Sequence, residues 1–194
     1  MNPSTDQKDS GDLTMNQDYF LQTKRIGFSK WTDADLPLAR QLWGDPDVTR
    51  LICASGSFTE QEVADRLERE IDHGRRFSVQ YWPVFEMNGG GFMGCCGLRP
   101  YKSGERAYEL GFHLRKRYWG MGYATEGAKA VIRYAFEVLK AETLYAGHHP
   151  ENAGSEKVLK KLGFRYVGTE FYEPTGLEHP LYEMILPHYT KGEL

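Results

Sequence analysis

Cysteine is scarce in this chain of 194 residues. Cys53, Cys95 and Cys96 are the full set, and an odd count with two adjacent residues does not make a disulfide framework. A reducing cytoplasm is the expected setting. Zinc is not expected either, because no second pair of cysteines or histidines stands at ligand spacing. Long apolar runs are lacking: the longest are strand-sized, short of the roughly 20 residues that a membrane span needs. No charge of one sign dominates. Lys and Arg number 24 against 27 Asp and Glu, a formal net charge of −3, which gives no reason to expect nucleic acid or an anionic membrane as a partner. The opening Met1–Thr14 lacks the apolar block of a secretory signal and reads as solvated. What remains is ordinary for a globular protein, 40% apolar and 26% charged, enough at this length for one sizeable core. The expected division is a flexible tail over 1–19 and one domain over 20–190.

Periodicity supplies the elements. Residues 25–31 read as a first strand. Asp33 can cap a helix to about Trp43, closed by Asp45-Pro46. Thr59 with Glu62 three positions on forms a capping box, and Val63, Leu67 and Ile71 recur at helical spacing. A helix is therefore predicted over 59–73, with Gly74 as its stop. Three strands follow at 77–87, 91–101 and 106–115, separated by Asn88-Gly89-Gly90 and by Lys102-Ser103-Gly104-Glu105, both hairpin chemistry. Pro83 inside the first of them predicts a bulge or an edge. Beyond Gly122 the period is helical again, through Ala124, Ala128, Val131, Ala135 and Val138. A strand at 143–148, a helix at 152–162 ended by Gly163, and strands at 164–173 and 178–186 complete the chain. The fold class expected is α/β (α+β), a mixed sheet with helices on both faces.

The most informative run is Arg117-Tyr118-Trp119-Gly120-Met121-Gly122-Tyr123-Ala124-Thr125. It joins a strand ending near Arg115 to a helix opening near Ala124. Two glycines one residue apart let the backbone turn sharply and bring its N–H groups close to a ligand. With the free donors and positive dipole end of the next helix, those groups form an anion site. Arg115, Lys116 and Arg117 would add positive charge at its mouth, and a pyrophosphate is the natural occupant. A plain tight turn explains the glycine pair as well. The run is not a P-loop, since no Gly-Lys-Ser/Thr follows, and it matches the G-x-G-x-x-G fingerprint poorly. The strand before it also closes an antiparallel meander instead of opening a βαβ nucleotide fold.

Arg117-x-x-Gly120-x-Gly122 resembles the R/Q-x-x-G-x-G/A motif of the GNAT superfamily of N-acetyltransferases. The likeness covers roughly residues 25–186 in motif order and element order. More narrowly it resembles the branch containing the RimJ/RimL ribosomal-protein N-terminal acetyltransferases. The matching segments are Asp45-Pro46-Asp47-Val48, Gly94-Cys95-Cys96-Gly97-Leu98, Tyr108-Glu109-Leu110-Gly111-Phe112 and the run from Trp119 to Glu126. Pro150-Glu151-Asn152-Ala153-Gly154-Ser155, leading to Leu162-Gly163-Phe164, completes them. The resemblance implies a GNAT-like, mostly antiparallel sheet of about seven strands. It implies acetyl-CoA as co-substrate, no metal, and an amine as acceptor. The cofactor-binding positions it implies are Phe112, Leu114, Arg117, Gly120, Met121, Gly122, Tyr123, Ala124, Thr125 and Asn152.

Acetyl transfer to an amine needs a base for the amine, donors for the developing oxyanion and an acid for the departing thiolate. Strand alternation puts Glu109, Gly111, His113 and Arg115 on one face, opposite Tyr108, Leu110, Phe112 and Leu114. Glu109 is either a cleft-floor carboxylate or an ordinary strand residue paired with Arg99 or Arg106. Its match to the glutamate of the RimL-like branch makes it the candidate general base. Ser155, one turn after Asn152, is the candidate acid, although both residue types also cap helices. The wider superfamily places a tyrosine where this chain has Leu159, so the usual acid is missing. The oxyanion is expected at a backbone N–H near Phe112 or Leu114, where family members carry a bulge that Gly111 would allow. The splay would let the pantetheine arm pair with main chain. His113 is an alternative base, or a packing residue. His148 and His149 line the cofactor cleft or play a plain loop role. A cysteine nucleophile is disfavoured, because no histidine partner is identifiable for Cys95 or Cys96.

Two functions remain open on these residues: an N-acetyltransferase working through a ternary complex, and an acyl-CoA-binding sensor or scaffold without chemistry. The resemblance implies a protein N-terminus as acceptor, yet the branch also holds enzymes for small amines and antibiotics. The segments that would choose among them, 33–75 and the last hairpin, carry no readable motif. Trp31, Trp43, Tyr81 and Trp82 either shape an acceptor pocket or pack the core. A monomer and a homodimer are both compatible with the sequence.

Overall fold

The computed structural model describes residues 18–101 and 106–186. In chain order its strands are β1 (Leu21–Gln22), β2 (Ile26–Phe28), β3 (Tyr81–Glu86), β4 (Phe92–Pro100), β5 (Ala107–Leu114), β6 (Thr143–Gly147), β7 (Arg165–Tyr172) and β8 (Leu177–Ile185). The helices are α1 (Leu36–Trp43), α2 (Pro46–Thr49), α3 (Glu60–Phe77), α4 (Tyr123–Arg133) and α5 (Ala153–Leu162). Among the described residues one eight-stranded sheet forms, ordered β1-β2-β3-β4-β5-β6-β8-β7. Strands β5 and β6 pair in parallel and the other neighbours antiparallel. The expected mixed sheet with helices on both faces is therefore present, with β1 as an added edge.

Each face has its own core. Ala128, Val131 and Ile132 of α4 and Leu159 and Leu162 of α5 pack on Phe28, Cys96, Leu98 and Leu110. On the other face Leu42 and Trp43 of α1 and Val63, Leu67 and Ile71 of α3 pack on Tyr81, Phe85 and Cys95. Because both faces are covered, adjacent Cys95 and Cys96 are both buried, one in each core, where alternation alone would have buried one.

Several boundaries move, each for a local reason. Helix α3 runs through Gly74 to Phe77 and ends at Ser78, which takes the left-handed conformation (φ 60°). Gly74 serves close approach, since a methyl there would overlap the side-chain amide of Gln80. That amide donates to the Glu70 carbonyl at 2.9 Å and accepts the Trp31 N–H at 2.8 Å. Phe77 is thus helical, not the start of a strand. Before α1, Thr32 and Asp35 form the capping box around a short 3-10 turn, in place of the cap expected at Asp33. Pro83 lies inside the sheet next to a register shift at Val84/Phe85. Its carbonyl accepts the Ser29 N–H on the side where β2 has already ended, so its missing N–H leaves no ladder bond unmade. Helix α4 continues into a π turn over Tyr134–Val138. The wider turn rotates the apolar stripe, burying Phe136 and turning Val138 out to solvent. Tyr19, assigned to the tail, packs against Phe85, with ring centroids 6.0 Å apart. The Lys102–Glu105 hairpin turn, most of the tail and the last expected domain residues lie outside the described residues.

Candidate active site

Strands β5 and β6 pair from Ala107↔Thr143 to Glu109↔Tyr145 and then separate, while β6 goes on with β8 to Gly147↔Leu181. No bulge produces this. The β4–β5 register is unbroken from Gly94↔Leu114 to Pro100↔Tyr108, against the bulge expected at Gly111. That glycine is required instead by Tyr81, whose ring a methyl would overlap. A cavity of about 610 Å³ lies beside the freed end of β5, bounded by Phe112, His113 and Leu114, the loop into α4, α2 and the start of α5. Gly120 (φ 73°) and Gly122 (φ 81°) bend the loop through conformations that favour glycine. No side chain caps α4 at Gly122, so the N–H groups of Tyr123, Ala124 and Thr125 are left without helical acceptors. Free donors and the positive dipole end of α4 give this end of the cavity the chemistry to take an anion.

Phe112, Leu114, Gly120, Gly122, Tyr123, Ala124, Thr125 and Asn152 all line it. Arg117 and Met121 do not. The Arg117 guanidinium turns back to the Tyr118 hydroxyl (2.8 Å) and the Phe92 carbonyl (3.5 Å), and Met121 is exposed. The neighbouring cations are occupied too, Arg115 with the Phe92 carbonyl at 3.2 Å and Lys116 with Asp47 at 3.0 Å. Positive charge at this cavity comes from Arg50, Lys157 and Lys161, none of them in the glycine motif.

A second cavity, of about 420 Å³, lies across the β5 edge. Its lining includes Tyr81, Arg99, Glu109, Gly111, His148 and His149. The two histidines thus face this cavity, not the one beside the glycine loop. Both cavities are lined by Phe112, His113, Asn152 and Ser155, so they meet there. Asn152 is the N-cap of α5, its Oδ1 accepting the Ser155 N–H at 3.0 Å. The capping side chain is Asn152's. The Ser155 hydroxyl has no hydrogen bond among the described residues and stays available at the junction. Leu159 is fully buried in the core below.

Glu109 is half-buried, and its carboxyl pKa is raised. Burial is the main cause, opposed by the Arg99 charge, a hydrogen bond from the Tyr81 hydroxyl and the Arg66 charge. Arg99 is held in place by an ion pair with fully buried Glu70 and lies 4.1 Å from the Tyr81 ring centroid. Glu70 also accepts the Tyr81 N–H at 2.8 Å. Arg106, the other partner considered for Glu109, pairs with Glu142 at 3.2 Å.

His113 is neutral. Burial and the charges of Arg66 and Arg99 push its pKa well below the usual histidine value. The Trp43 indole N–H, which can only donate, reaches Nδ1 at 3.3 Å, which leaves the proton on Nε2. Cys95 has the histidine partner that no sequence pattern revealed, with Sγ 3.7 Å from His113 Nδ1. Burial pushes its thiol up to about 12, which disfavours the thiolate that a nucleophile needs. Trp31, Trp43 and Trp82 pack in the cores, while Tyr81 faces the second cavity. Among the described residues no group of three or more His, Cys, Asp or Glu side chains is placed to hold a metal ion.

Arg66 and Glu70 were missed from sequence, although a signal existed. Val63, Leu67 and Ile71 define a buried stripe, and positions 66 and 70 fall within it at helical spacing. Two charges on the apolar face of an otherwise regular helix mark a polar site under it.

The acetyltransferase (GNAT) domain model matches residues 25–165. An uncharacterised N-acetyltransferase of Bacillus licheniformis, p20, is 28% identical over 153 residues, 76% of this chain and 83% of its own. The crystal structure of a GNAT-family acetyltransferase from Bacillus anthracis has a TM-score of 0.72 at 25% identity, covering 85% of this chain and 97% of that one. The fold is shared with the ribosomal L7/L12 alpha-N-protein acetyltransferase RimL solved with coenzyme A, TM-score 0.70 at 14% identity over 86% and 97% of the two chains.

Proposed function

This chain belongs to the GNAT acetyltransferase family, and from that premise we propose that it moves an acetyl group from acetyl-CoA straight to a primary amine within one ternary complex. The observation that carries the reading is the meeting of two cavities at Ser155. One has the glycine loop and free helix N–H groups at its far end, and the other has Glu109 on its floor. The first fits a pyrophosphate with a thioester arm laid along the unpaired flank of β5. The second fits an amine brought to the same point.

The residues divide the work as follows. Glu109, as carboxylate, takes a proton from the acceptor ammonium directly or through water, freeing the nitrogen lone pair. The new C–N bond forms at the thioester carbon, and a main-chain N–H near Phe112 or Leu114 receives the oxyanion. The Leu114 carbonyl is tied to the Trp119 indole N–H at 2.6 Å, which steadies this stretch of strand. The C–S bond then breaks, Ser155 supplies a proton to the thiolate, and the proton that the attacking nitrogen sheds as it becomes the amide restores the serine hydroxyl through solvent. The high thiol pKa of Cys95 speaks against an acetyl-cysteine route. Unpaired main-chain donors at one cavity and a perturbed carboxyl at the other favour an enzyme over a silent acyl-CoA sensor. The three free cysteines suit a reducing cytoplasm. Peptides, polyamines and aminoglycosides, assayed with acetyl-CoA for free thiol release, test the reading. No release with any amine, from protein that binds coenzyme A, would leave the sensor reading standing.

A further inference from the structure

The second cavity contains a buried cation without a counter-ion of its own. Arg66 is 6% exposed. Its guanidinium lies 5.1 Å from the Trp43 ring centroid and 5.6 Å from that of Phe58. Its Nε is sealed from solvent with no hydrogen-bond partner. Among the described residues the terminal nitrogens make no hydrogen bond and no ion pair, yet the side chain lines the cavity. Glu70, one turn further along α3, is committed to Arg99 and the Tyr81 N–H. Burying a guanidinium unpaired is unfavourable, and a leucine or methionine would complete the stripe of Val63, Leu67 and Ile71 without that cost.

We propose that Arg66 receives a carboxylate of the acceptor, so that the substrate is a small molecule carrying both the amine and a carboxylate, in the manner of an amino acid. The proposal rests on the reading that Glu109 and its cavity take the amine, and adds the chemical class of what enters. Three observations carry it. Arg66 and Glu109 line the same cavity, and the Arg66 charge is felt at Glu109, so one small molecule can meet both. Aromatic rings lie against the guanidinium, which leaves its in-plane N–H edge for the ligand, the geometry that matches a planar carboxylate with two parallel bonds. Two walls of the cavity are also tied together: the Ala54 N–H, in the α2–α3 connection, donates to the Pro174 carbonyl in the β7–β8 turn at 2.7 Å. This bond joins the wall carrying Leu51 and Ile52 to the wall carrying Phe171 and Tyr172. A volume of about 420 Å³ between walls tied in this way suits a single small molecule.

The test compares each L-amino acid with its own amide as acceptor, and peptides beginning with the same residue as a third arm. The amide's amine is less basic and more readily deprotonated, so intrinsic reactivity favours it. Preference for the acid has to come from the site. For the best pair, kcat/KM should favour the acid on the order of 10- to 100-fold, the worth of hydrogen bonds to a charged partner. In Arg66→Met, which keeps the stem packing, the ratio should fall to one or below, with melting temperature and the KM for acetyl-CoA checking the fold. Equal rates for acid and amide, a ratio that survives in folded Arg66→Met, or a peptide preferred to every free amino acid overturns the proposal. A second measurement needs no variant and no turnover: calorimetric binding of N-acetyl amino acids and of their amides to the wild-type protein with coenzyme A. Selective binding of the acids supports the Arg66 site even if no amine is acetylated, an outcome that would sink only the enzymatic reading.

Discussion

The side chain of Asn152 holds the backbone N–H of Ser155 at 3.0 Å, and this one bond separates capping from chemistry at the start of α5. Ser155→Ala leaves the cap intact, so its melting temperature should stay close to wild type while acetyl transfer slows. Asn152→Ala should lose about 0.5–2 kcal/mol of stability, the usual worth of an N-cap. Melting curves and turnover measured on both variants decide the matter. A Ser155→Ala enzyme as fast as wild type would remove it as proton donor and make water the source.

Glu109→Gln should lower turnover by ~10²–10⁴-fold, the range for a lost general base, with acetyl-CoA affinity barely changed. Burial raises the Glu109 pKa above its ordinary value, so the carboxylate form gains population as pH rises through that raised pKa. The wild-type kcat/KM should climb along that limb, and the limb should vanish in the variant. A pH profile identical in the two proteins would assign the base elsewhere.

The same shift has a sign in stability. A carboxyl whose pKa is higher folded than unfolded contributes fully below its unfolded pKa and loses that contribution as pH rises through the folded value. Glu109→Gln should therefore melt at or above the wild-type temperature at neutral pH, and the gap should close below about pH 4, where both side chains are neutral. A variant markedly less stable at pH 7 would mean that the Arg99 and Arg66 charges outweigh burial.

Gly120→Val places a β-branched residue at φ 73°, a backbone conformation costing of order 1–3 kcal/mol for a non-glycine residue. Nothing lies within 4 Å of the added Cβ, so the fold can survive while the loop shifts away from the free N–H groups of α4. Coenzyme A binding measured by calorimetry should weaken strongly. Unchanged affinity in a folded variant would remove this loop from the phosphate site.

Gly111→Ala tests the floor of the second cavity. Its methyl would overlap the Tyr81 ring, displacing the hydroxyl that holds the Glu109 pKa down. Turnover should fall and the acid limb of the pH profile should move, with acetyl-CoA KM nearly constant. A wild-type profile would show that Tyr81 does not tune the carboxyl.

Local rules made much of this protein legible from its residues. The Thr59–Glu62 box, the Asn152 cap, the paired glycines and strand alternation around Glu109 depend on neighbours within a turn or two, and each reappears in the structure. What fell outside was decided by contacts distant in sequence. Gly74 looks like a helix stop until Gln80 folds back on it, and Gly111 looks like a bulge until Tyr81 arrives from another strand. The basic cluster at 115–117 suggests phosphate charge, yet Phe92, Tyr118 and Asp47 take those side chains, and Arg50, Lys157 and Lys161 line the cavity in their place. Arg66 and His113 both meet Trp43, 23 residues before one and 70 before the other. Spacing along a chain encodes which face a side chain takes. Burial, the partner it meets and the resulting pKa depend on which elements the sheet order brings together, and only the tertiary structure decides that.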